Sequence, residues 1–274
     1  MTQFIILTDL DGSLLDATSY SYEAATEALQ HIQNLGIPIV LVSSKTRAEM
    51  EPLRFRLRNG HPFIVENGGG IFIPRSYFPF LVEQSAMRGH YQVVELGVPY
   101  TGVRVALKEI EQALGCRLLG FGDMSMDEIA RYTGLSPADA VLAKQREFDE
   151  PFLINRDGIT CEDLRPHVEG RGLHCTKGGR FYHLMGASDK GLASRLLLEW
   201  YRRQAESQGR EIVSIGIGDS LNDLPMLKAV DRPILVQKPD GSYDPDIHLP
   251  HLHRAAGSGP IGWNKAVLAI LHDT

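Results

Sequence analysis

Two carboxylates, Asp9 and Asp11, directly follow an apolar run at residues 4–7. A run of bulky, partly β-branched residues is typical of a strand that is covered on both faces of a parallel sheet. Open sheets of this kind bind ligands just beyond the carboxyl ends of their strands, where these two acids would lie. Acids one residue apart repel each other, and a hard divalent cation such as Mg²⁺ would relieve that repulsion. The alternative is an acidic surface turn after a strand.

Two further apolar runs, residues 37–42 and 212–217, also end in clusters of polar residues. Between them, Ser188 precedes an amphipathic stretch that we expect to form a helix over residues 190–204. Lys190 would then lie in the first helical turn, where a cation opposes the helix dipole. That position is understandable if an anion binds at the same helix end. If Lys190 is only an exposed lysine, Ser188 would be the N-cap of this helix.

An acid pair, a hydroxyl, a lysine and a second acid cluster, in that order, resemble the four motifs of the haloacid dehalogenase superfamily of phosphotransferases. The resemblance implies that Asp9 is a nucleophile that forms an aspartyl-phosphate and that Asp11 is the general acid and base. It assigns Ser43 and Lys190 to the phosphoryl oxygens. It also implies a Mg²⁺ site, which would involve Asp9, the backbone carbonyl of Asp11, Asp219 and, as the residue that orients the metal's ligands, Asp223.

Length and composition favour an enzyme of two domains. The 274 residues exceed the usual size of a single core, and 43% hydrophobic with 23% charged residues is typical of a globular protein. A net charge of −6 argues against a nucleic-acid surface, and no apolar run approaches the ~20 residues that span a bilayer. We therefore expect neither a nucleic-acid partner nor a membrane, and a cytoplasmic monomer or homodimer. The three cysteines lack CxxC spacing and are predicted to be reduced thiols.

The first third of the chain has an α/β pattern. A helical stripe runs from Ala25 to Leu35, with Gly36 as its expected C-cap. Residues 63–65 and 71–73 are predicted to pair as a hairpin, because Asn67-Gly68 lies between them. The Glu66-Asn67-Gly68 turn resembles one at the active-site rim of the superfamily's Cof-like branch. Both a plain turn and a substrate contact remain open for it.

Residues 83–187 change the pattern to short strands and modest helices. Strands are expected near 93–94, 118–119, 152–154 and 181–184, and Ser136-Pro137 is a typical helix start. An insertion between the second and third motifs is, by the superfamily resemblance, a C2-type cap. The predicted fold is therefore α/β, with a Rossmann-like core of parallel strands between helices at residues 1–82 and 188–274, and an α+β cap at 83–187.

Several segments together look like the mannosyl-3-phosphoglycerate phosphatase family; these are residues 43–47, 66–70, 146–150, 178–183, 188–191 and 257–263. The resemblance implies a Mg²⁺-dependent phosphatase that converts mannosyl-3-phosphoglycerate to mannosylglycerate, a step of compatible-solute synthesis. Ser13 stands where threonine is commoner, and residues 83–91 match no pattern of the family. A broader sugar phosphatase, a glucosyl-3-phosphoglycerate phosphatase and, with less support, a phosphomutase remain alternatives.

A substrate with a carboxylate beside its phosphate needs cations besides Lys190. Arg180 is the chief candidate, because a guanidinium can bind a carboxylate through two hydrogen bonds, although it could also be a surface residue of a cap hairpin. His183 is expected to be packed or hydrogen-bonded, and the run His248, His251 and His253 to be a solvated surface. The full set of candidate substrate-binding residues is Ser13, Ser44, Lys45, Arg47, Glu66, Asn67, Gly68, Gly179, Arg180, Ser188 and Asn222.

Overall fold

Two β-sheets organise the chain in the computed structural model, which describes residues 2–156, 158–177 and 180–272. The larger sheet has nine strands. In order across the sheet they are β13 (His253–Ser258), β12 (Arg232–Gln237), β11 (Glu211–Gly218), β1 (Thr2–Thr8), β2 (Ile39–Val42), β3 (Phe63–Val65), β4 (Gly70–Pro74), β6 (Tyr91–Glu95) and β5 (Ala86–Arg88). Neighbouring strands from β13 to β3 are parallel, and those from β3 to β5 are antiparallel.

Nine α-helices lie in the described part of the chain. They are α1 (Thr26–Leu35), α2 (Arg47–Arg56), α3 (Tyr100–Leu114), α4 (Met126–Thr133), α5 (Pro137–Ala143), α6 (Cys161–Val168), α7 (Lys190–Glu206), α8 (Leu224–Leu227) and α9 (Gly259–His272). In addition, four single turns of 3-10 helix are present within the described ranges, at Glu23–Ala25, Glu66–Gly68, Glu169–Arg171 and Leu221–Asp223. No helix among the described residues is both long and apolar enough to cross a membrane.

The central strand β1 is buried on both faces, because alternate side chains of a strand point to opposite sides of its sheet. Phe4 and Ile6 pack into one hydrophobic cluster with residues of α1 and α9, including Trp263. Ile5 and Leu7 pack into a second cluster with residues of α7. Helices therefore cover both faces, and the predicted α/β fold is confirmed.

The local predictions in the larger sheet are mostly confirmed. Gly36 caps α1 in the left-handed conformation, with φ 65°, and its N–H reaches the carbonyl oxygens of Ile32 and Gln33. Strands β3 and β4 form the predicted hairpin. The N-cap of α7 is Asp189: its side chain, and not that of Ser188, accepts the N–H of Leu192 at 2.7 Å. Asp189 has extended backbone dihedrals directly before Lys190, so the cap position falls one residue after Ser188.

The smaller sheet has four antiparallel strands, in the order β7 (Leu118–Gly120), β8 (Asp149–Ile154), β10 (Tyr182–Gly186) and β9 (Leu173–Lys177). One face packs on α3 and α6 around a separate hydrophobic cluster. The predicted strand at 93–94 does not belong to this sheet, since β6 and β5 continue the antiparallel hairpin of the larger sheet. Val93 and Val94 join that sheet's two hydrophobic clusters, so its strands run past the predicted boundary at residue 83.

The cysteine prediction was wrong for two of the three residues. Cys161 in α6 and Cys175 in β9 form a disulfide, with a Cα–Cα distance of 5.3 Å. Packing of α6 against β9 brings together two residues that lie 14 positions apart, a spacing that no short cysteine motif describes. Cys116 is a free thiol and is buried, as expected for a reduced cysteine.

Candidate active site

The acid cluster lies where β1 and β11 end side by side at the carboxyl edge of the larger sheet. The N–H of Asp9 continues the pairing by donating to the carbonyl of Ile217 at 2.9 Å. Carboxylate oxygens of Asp9, Asp219 and Asp223 all lie within 4.8 Å of one another. Gly12 passes close to them with φ 86°, and a Cβ atom there would lie 2.8 Å from an Asp219 oxygen. The loop after β1 therefore needs a glycine at this position for both backbone and space.

Lys190 supplies the positive charge of this cluster from the first turn of α7. Its Nζ donates to Asp9 Oδ1 at 2.6 Å and to Asp223 Oδ1 at 2.7 Å, and the side chain is only 1% exposed. Burial alone would lower the pKa of Lys190, but the carboxylates of Asp223 and Asp9 outweigh it and raise that pKa above its ordinary value. Lys190 is therefore a permanent cation between two acids.

Three crowded carboxylates with one lysine leave excess negative charge. Burial raises the pKa of Asp9 well above its ordinary value, and Asp223 raises it further. Burial, together with the Asp223 carboxylate, also raises the pKa of Asp219 to about 7. Hard oxygen ligands at this spacing fit a divalent cation such as Mg²⁺, whose charge would stabilise all three carboxylates in their ionised forms.

Asp223 and Asp11 have partners of their own. Asp223 Oδ2 accepts the backbone N–H groups of Asp219 and Ser220, at 3.0 and 3.2 Å, so this carboxylate fixes the loop that carries Asp219. Asp11 turns towards the loop after β2, where its Oδ2 pairs with Lys45 Nζ at 2.9 Å. The other oxygen, Asp11 Oδ1, is buried and has no hydrogen-bond partner among the described residues. Within the described residues, one oxygen of Asp11 is thus held by Lys45 and the other is unpaired.

The hydroxyl residues hold the loops around the cluster. Ser13 Oγ donates to Asp219 Oδ1 at 3.3 Å. Ser43 Oγ accepts the N–H of Lys45 at 3.2 Å and lies buried at the end of β2, next to Ser44, which lines the site. The Ser188 hydroxyl is buried without a partner among the described residues.

Glu66 is held away from the site by the segment that leads into β8. Its carboxylate accepts the backbone N–H groups of Glu147, Phe148 and Asp149 at 2.7–2.8 Å. Burial raises the pKa of Glu66 to about 7, while the Arg146 guanidinium lowers it. The three N–H donors, together with that guanidinium, favour the ionised form. Glu66 thus joins the larger sheet to the segment before β8.

The residues that follow Glu66 remain at the site. Asn67 has φ 55° and borders the site, where its Oδ1 accepts from Asn222 Nδ2 at 3.5 Å. Gly68 has φ 97°, and a Cβ there would lie 2.2 Å from the carbonyl oxygen of Asp189. This close approach packs the turn against the N-terminus of α7. The turn therefore holds Lys190 and Asn67 in a fixed relation.

A cavity of about 620 Å³ opens above the acid cluster, between the two sheets. Of the predicted substrate-binding residues, Ser44, Lys45, Asn67, Arg180 and Asn222 line it. Arg47 is not among the described lining residues, because its guanidinium pairs with Glu51 and Glu147, each at 3.0 Å. Gly179 lies outside the described residues.

Some of the residues that line the cavity were not predicted from the sequence. Lys238 follows the apolar strand β12, so the sheet-edge argument used for Asp9 could have found it. Lys177 and Phe181 flank the segment that contains Arg180. Tyr132 carries no local signal, since only the packing of α4 brings it to the cavity.

Comparisons with known proteins agree with this arrangement. Residues 6–78 match the family of haloacid dehalogenase-like hydrolases. The chain is 47% identical over 267 residues to the glucosyl-3-phosphoglycerate/mannosyl-3-phosphoglycerate phosphatase of Methanococcoides burtonii, with 97% of each chain covered. It is 39% identical over 233 residues to the mannosyl-3-phosphoglycerate phosphatase of Pyrococcus horikoshii, with 85% of this chain and 90% of the relative covered.

The same fold occurs in a solved structure from Thermoplasma acidophilum, with a TM-score of 0.66. The alignment covers 99% of both chains at 19% sequence identity. A likeness at that level of identity concerns the fold alone. Both sheets therefore belong to an architecture that occurs outside these sequence relatives.

Proposed function

Since the chain belongs to the haloacid dehalogenase-like hydrolases and, within them, to the family of glucosyl- and mannosyl-3-phosphoglycerate phosphatases, we propose that it hydrolyses mannosyl-3-phosphoglycerate to mannosylglycerate and phosphate. The observation that carries the proposal is the convergence of Asp9, Asp219, Asp223 and Lys190 in one cluster, of which Asp9 and Asp219 line the cavity. Further cations line that cavity, as a doubly anionic substrate requires.

Asp9 is the nucleophile in this mechanism. Lys190 holds Asp9 Oδ1, and we assign the attack on phosphorus to the other oxygen of this carboxylate. The bond from phosphorus to the substrate oxygen breaks as the aspartyl-phosphate forms. Lys190 would stabilise the charge that develops on the phosphoryl oxygens, and we assign to Asn67, which lines the cavity, and to the buried Ser43 the role of donors to them.

Asp11 moves the protons. It protonates the leaving alkoxide, then takes a proton from the water that hydrolyses the aspartyl-phosphate. Its unpartnered Oδ1 suits both steps, while the ion pair of Oδ2 with Lys45 fixes the orientation of the side chain. The same carboxyl group thus acts in both half-reactions.

Mg²⁺ fits the acid cluster as the cofactor of this reaction. Asp9, Asp219 and the backbone carbonyl of Asp11 would hold it, and Asp223 would keep their loop in place. When bound, the ion supplies the charge that lets an anionic phosphate approach an anionic nucleophile. The excess of carboxylates over cations in the cluster supports this assignment.

Substrate recognition falls to the smaller sheet and its helices, which we propose act as the cap. Because β5 and β6 belong to the larger sheet, the cap would begin after Glu95 and extend to about residue 187. Arg180 and Lys177 come from the cap, whereas Lys45 and Lys238 come from the core. These cations suit a substrate that carries a carboxylate near its phosphate.

A glucosyl substrate is the second candidate, because the Methanococcoides burtonii relative is named for both sugars. The proposal is tested by measuring the phosphate that the protein releases, in the presence of Mg²⁺, from four compounds. These are mannosyl-3-phosphoglycerate, glucosyl-3-phosphoglycerate, mannose 6-phosphate and 3-phosphoglycerate. We expect a kcat/KM preference of about 100-fold or more for a glycosyl-3-phosphoglycerate over the two simpler esters. A flat profile would reduce the assignment to a general sugar phosphatase, and the absence of release would overturn it.

A further inference from the structure

The two faces of the smaller sheet have different environments. Phe152 and Leu184 face α3 and α6 within a hydrophobic cluster. Side chains alternate along a strand, so the neighbours of Phe152 in β8 and of Leu184 in β10 point to the opposite face of the sheet. Pro151 and Thr176 are the register partners of His183 on its two sides, and all three line the cavity. His183 therefore lies on interior strand β10, in the part of the cavity wall that the smaller sheet forms and that we call its roof.

Asp149 fixes the orientation of the His183 ring. Asp149 Oδ2 lies 2.8 Å from His183 Nδ1. Because an ionised carboxylate can only accept hydrogen bonds, Nδ1 carries the hydrogen of this contact. The remaining nitrogen, Nε2, is the one that can meet a ligand, and the 15% exposed side chain lines the cavity.

Buried ionic groups surround this pair. Arg146 Nη2 donates to the same Asp149 oxygen at 2.8 Å, and Arg146 Nε lies 3.6 Å from Glu66 Oε2. Two fully buried carboxylates, Glu66 and Asp149, thus share one guanidinium. An anionic ligand group opposite Nε2 would complete this arrangement, with Nδ1 bonded to Asp149 and Nε2 bonded to the ligand.

We propose that His183, oriented by Asp149, is a substrate-contacting residue that binds the carboxylate of the glycerate unit through Nε2. The inference rests on the proposed function, since it names the group that recognises one part of that substrate. Phosphate would be bound at the acid cluster on the cavity floor, so Nε2 in the roof is available for the second anionic group. Arg180, on the same wall of the cavity, would share that task.

Two substitutions separate ligand binding from structural support. In His183→Asn the side-chain amide can still donate to Asp149, but the cavity-facing Nε2 is lost. In His183→Gln the amide reaches towards the cavity, but the contact with Asp149 is lost. His174→Gln is the matched control, because His174 lies on β9 of the same sheet and is not among the described residues that line the cavity.

The readouts are kcat and KM for mannosyl-3-phosphoglycerate, 3-phosphoglycerate and mannose 6-phosphate, with the thermal midpoint of each variant. We expect His183→Asn to raise KM about 10- to 100-fold for the two substrates that carry a carboxylate, as the loss of one charge-assisted hydrogen bond predicts. The kcat values, the kinetics on mannose 6-phosphate and the thermal midpoint should stay near those of the wild type and of His174→Gln.

Three other results would overturn the inference. Equal losses on all three substrates would give His183 a structural role, and unchanged kinetics would remove it from the site. A loss on mannosyl-3-phosphoglycerate alone would assign His183 to the sugar. Failure of the wild-type protein to release phosphate from mannosyl-3-phosphoglycerate would overturn the proposed function itself. The three results listed for the variants concern only the role of His183 and leave the proposed function unaffected.

Discussion

Among the individual residues of the proposed site, each carboxylate of the acid cluster has its own set of charged or polar partners. Lys190 neutralises one oxygen each of Asp9 and Asp223, while the Asp219 carboxylate accepts from Ser13 and the Asp219 backbone N–H donates to Asp223. The pKa values of Asp9 and Asp219 are raised, mainly by burial, so these carboxylates are costly to keep ionised. A bound divalent cation removes that cost, which couples metal binding to stability.

The substitution Asp9→Asn should abolish turnover while leaving the protein folded. The amide cannot form an acyl-phosphate, so we expect phosphate release to fall by on the order of 10³-fold or more. Because the substitution removes one of three crowded carboxylates, the thermal midpoint should not decrease greatly. Release assays and thermal unfolding check both points. Turnover close to that of the wild type would remove Asp9 as the nucleophile.

The substitution Glu66→Gln should destabilise the protein despite its equal size. Both oxygens of the carboxylate accept backbone N–H groups, and a glutamine would turn its own NH₂ towards one or two of them. A buried donor left without an acceptor costs about 1–3 kcal/mol in the free energy of unfolding. Urea unfolding measures the difference. Glu51→Gln, at a half-exposed acid of α2, is the control and should change stability by less than about 1 kcal/mol. Equal effects would contradict the assigned role of Glu66.

At the element scale, the disulfide between α6 and β9 is the clearest feature that local sequence patterns could not predict. It closes a loop of 14 residues. Loop closure of this length stabilises a folded chain by about 3 kcal/mol in the chain-entropy description.

Reduction should therefore lower the thermal midpoint of the wild-type protein. Cys161→Ser should show the same lower midpoint with and without reductant, because the bridge is absent in both cases. Unfolding curves in the presence and absence of dithiothreitol provide the measurement. The control is Cys116→Ser, which removes the free buried thiol and should keep the response to reductant. An equal thermal midpoint of the wild type with and without the reductant would contradict the presence of the disulfide.

His61, in the segment before β3, should make the stability of the protein depend on pH. His61 Nδ1 lies 2.7 Å from the Tyr77 hydroxyl, which in turn contacts the Tyr201 hydroxyl. Burial lowers the pKa of His61 to about 4, below the value of about 6.5 for an unfolded chain. The unfolded state then takes up the proton first, so the contribution of His61 to stability is complete above pH ~6.5 and is lost as the pH falls towards ~4.

The substitution His61→Asn should remove this component, because an amide can still meet the Tyr77 hydroxyl but does not titrate. Unfolding free energies at several pH values between about 4 and 7 for both proteins isolate the difference. We expect the wild type to lose more stability than the variant across this range. Parallel curves would show that His61 is not buried in its neutral form.

The parts of the fold that could be predicted are those governed by local periodicity. The apolar runs that became β1, β2 and β11, and the stripe that became α1, are regular enough to identify their elements. The acids at the ends of β1 and β11 followed, since parallel strands end at a common edge. The partners of a strand cannot be predicted in this way. The sequence pattern of β6 is compatible with either sheet, and only its pairing with β4 shows that it belongs to the larger one.

At the scale of the whole molecule, the cavity combines groups from two separately organised sheets. The larger sheet and its helices supply the acid cluster and Lys190, the smaller sheet supplies His183, and the segment between β9 and β10 supplies Arg180. Glu66 links the two through the N–H groups of residues 147–149 and the nearby guanidinium of Arg146. This link could not be read from the sequence, because Glu66 in the hairpin turn lies 80 positions or more from the backbone groups that it binds.

In the proposed mechanism, the phosphoryl group passes through a covalent bond to Asp9. Its most direct test is rapid acid quenching of the Asp11→Asn variant during turnover of p-nitrophenyl phosphate with Mg²⁺, followed by mass spectrometry of the peptides. The good leaving group needs little protonation, whereas the second step still needs Asp11 to activate water, so the intermediate should accumulate. We predict one added phosphoryl group on the peptide that contains Asp9, and none when Asp9→Asn is introduced as well. A phosphoryl group on another residue, or phosphate release without any labelled peptide, would contradict the account.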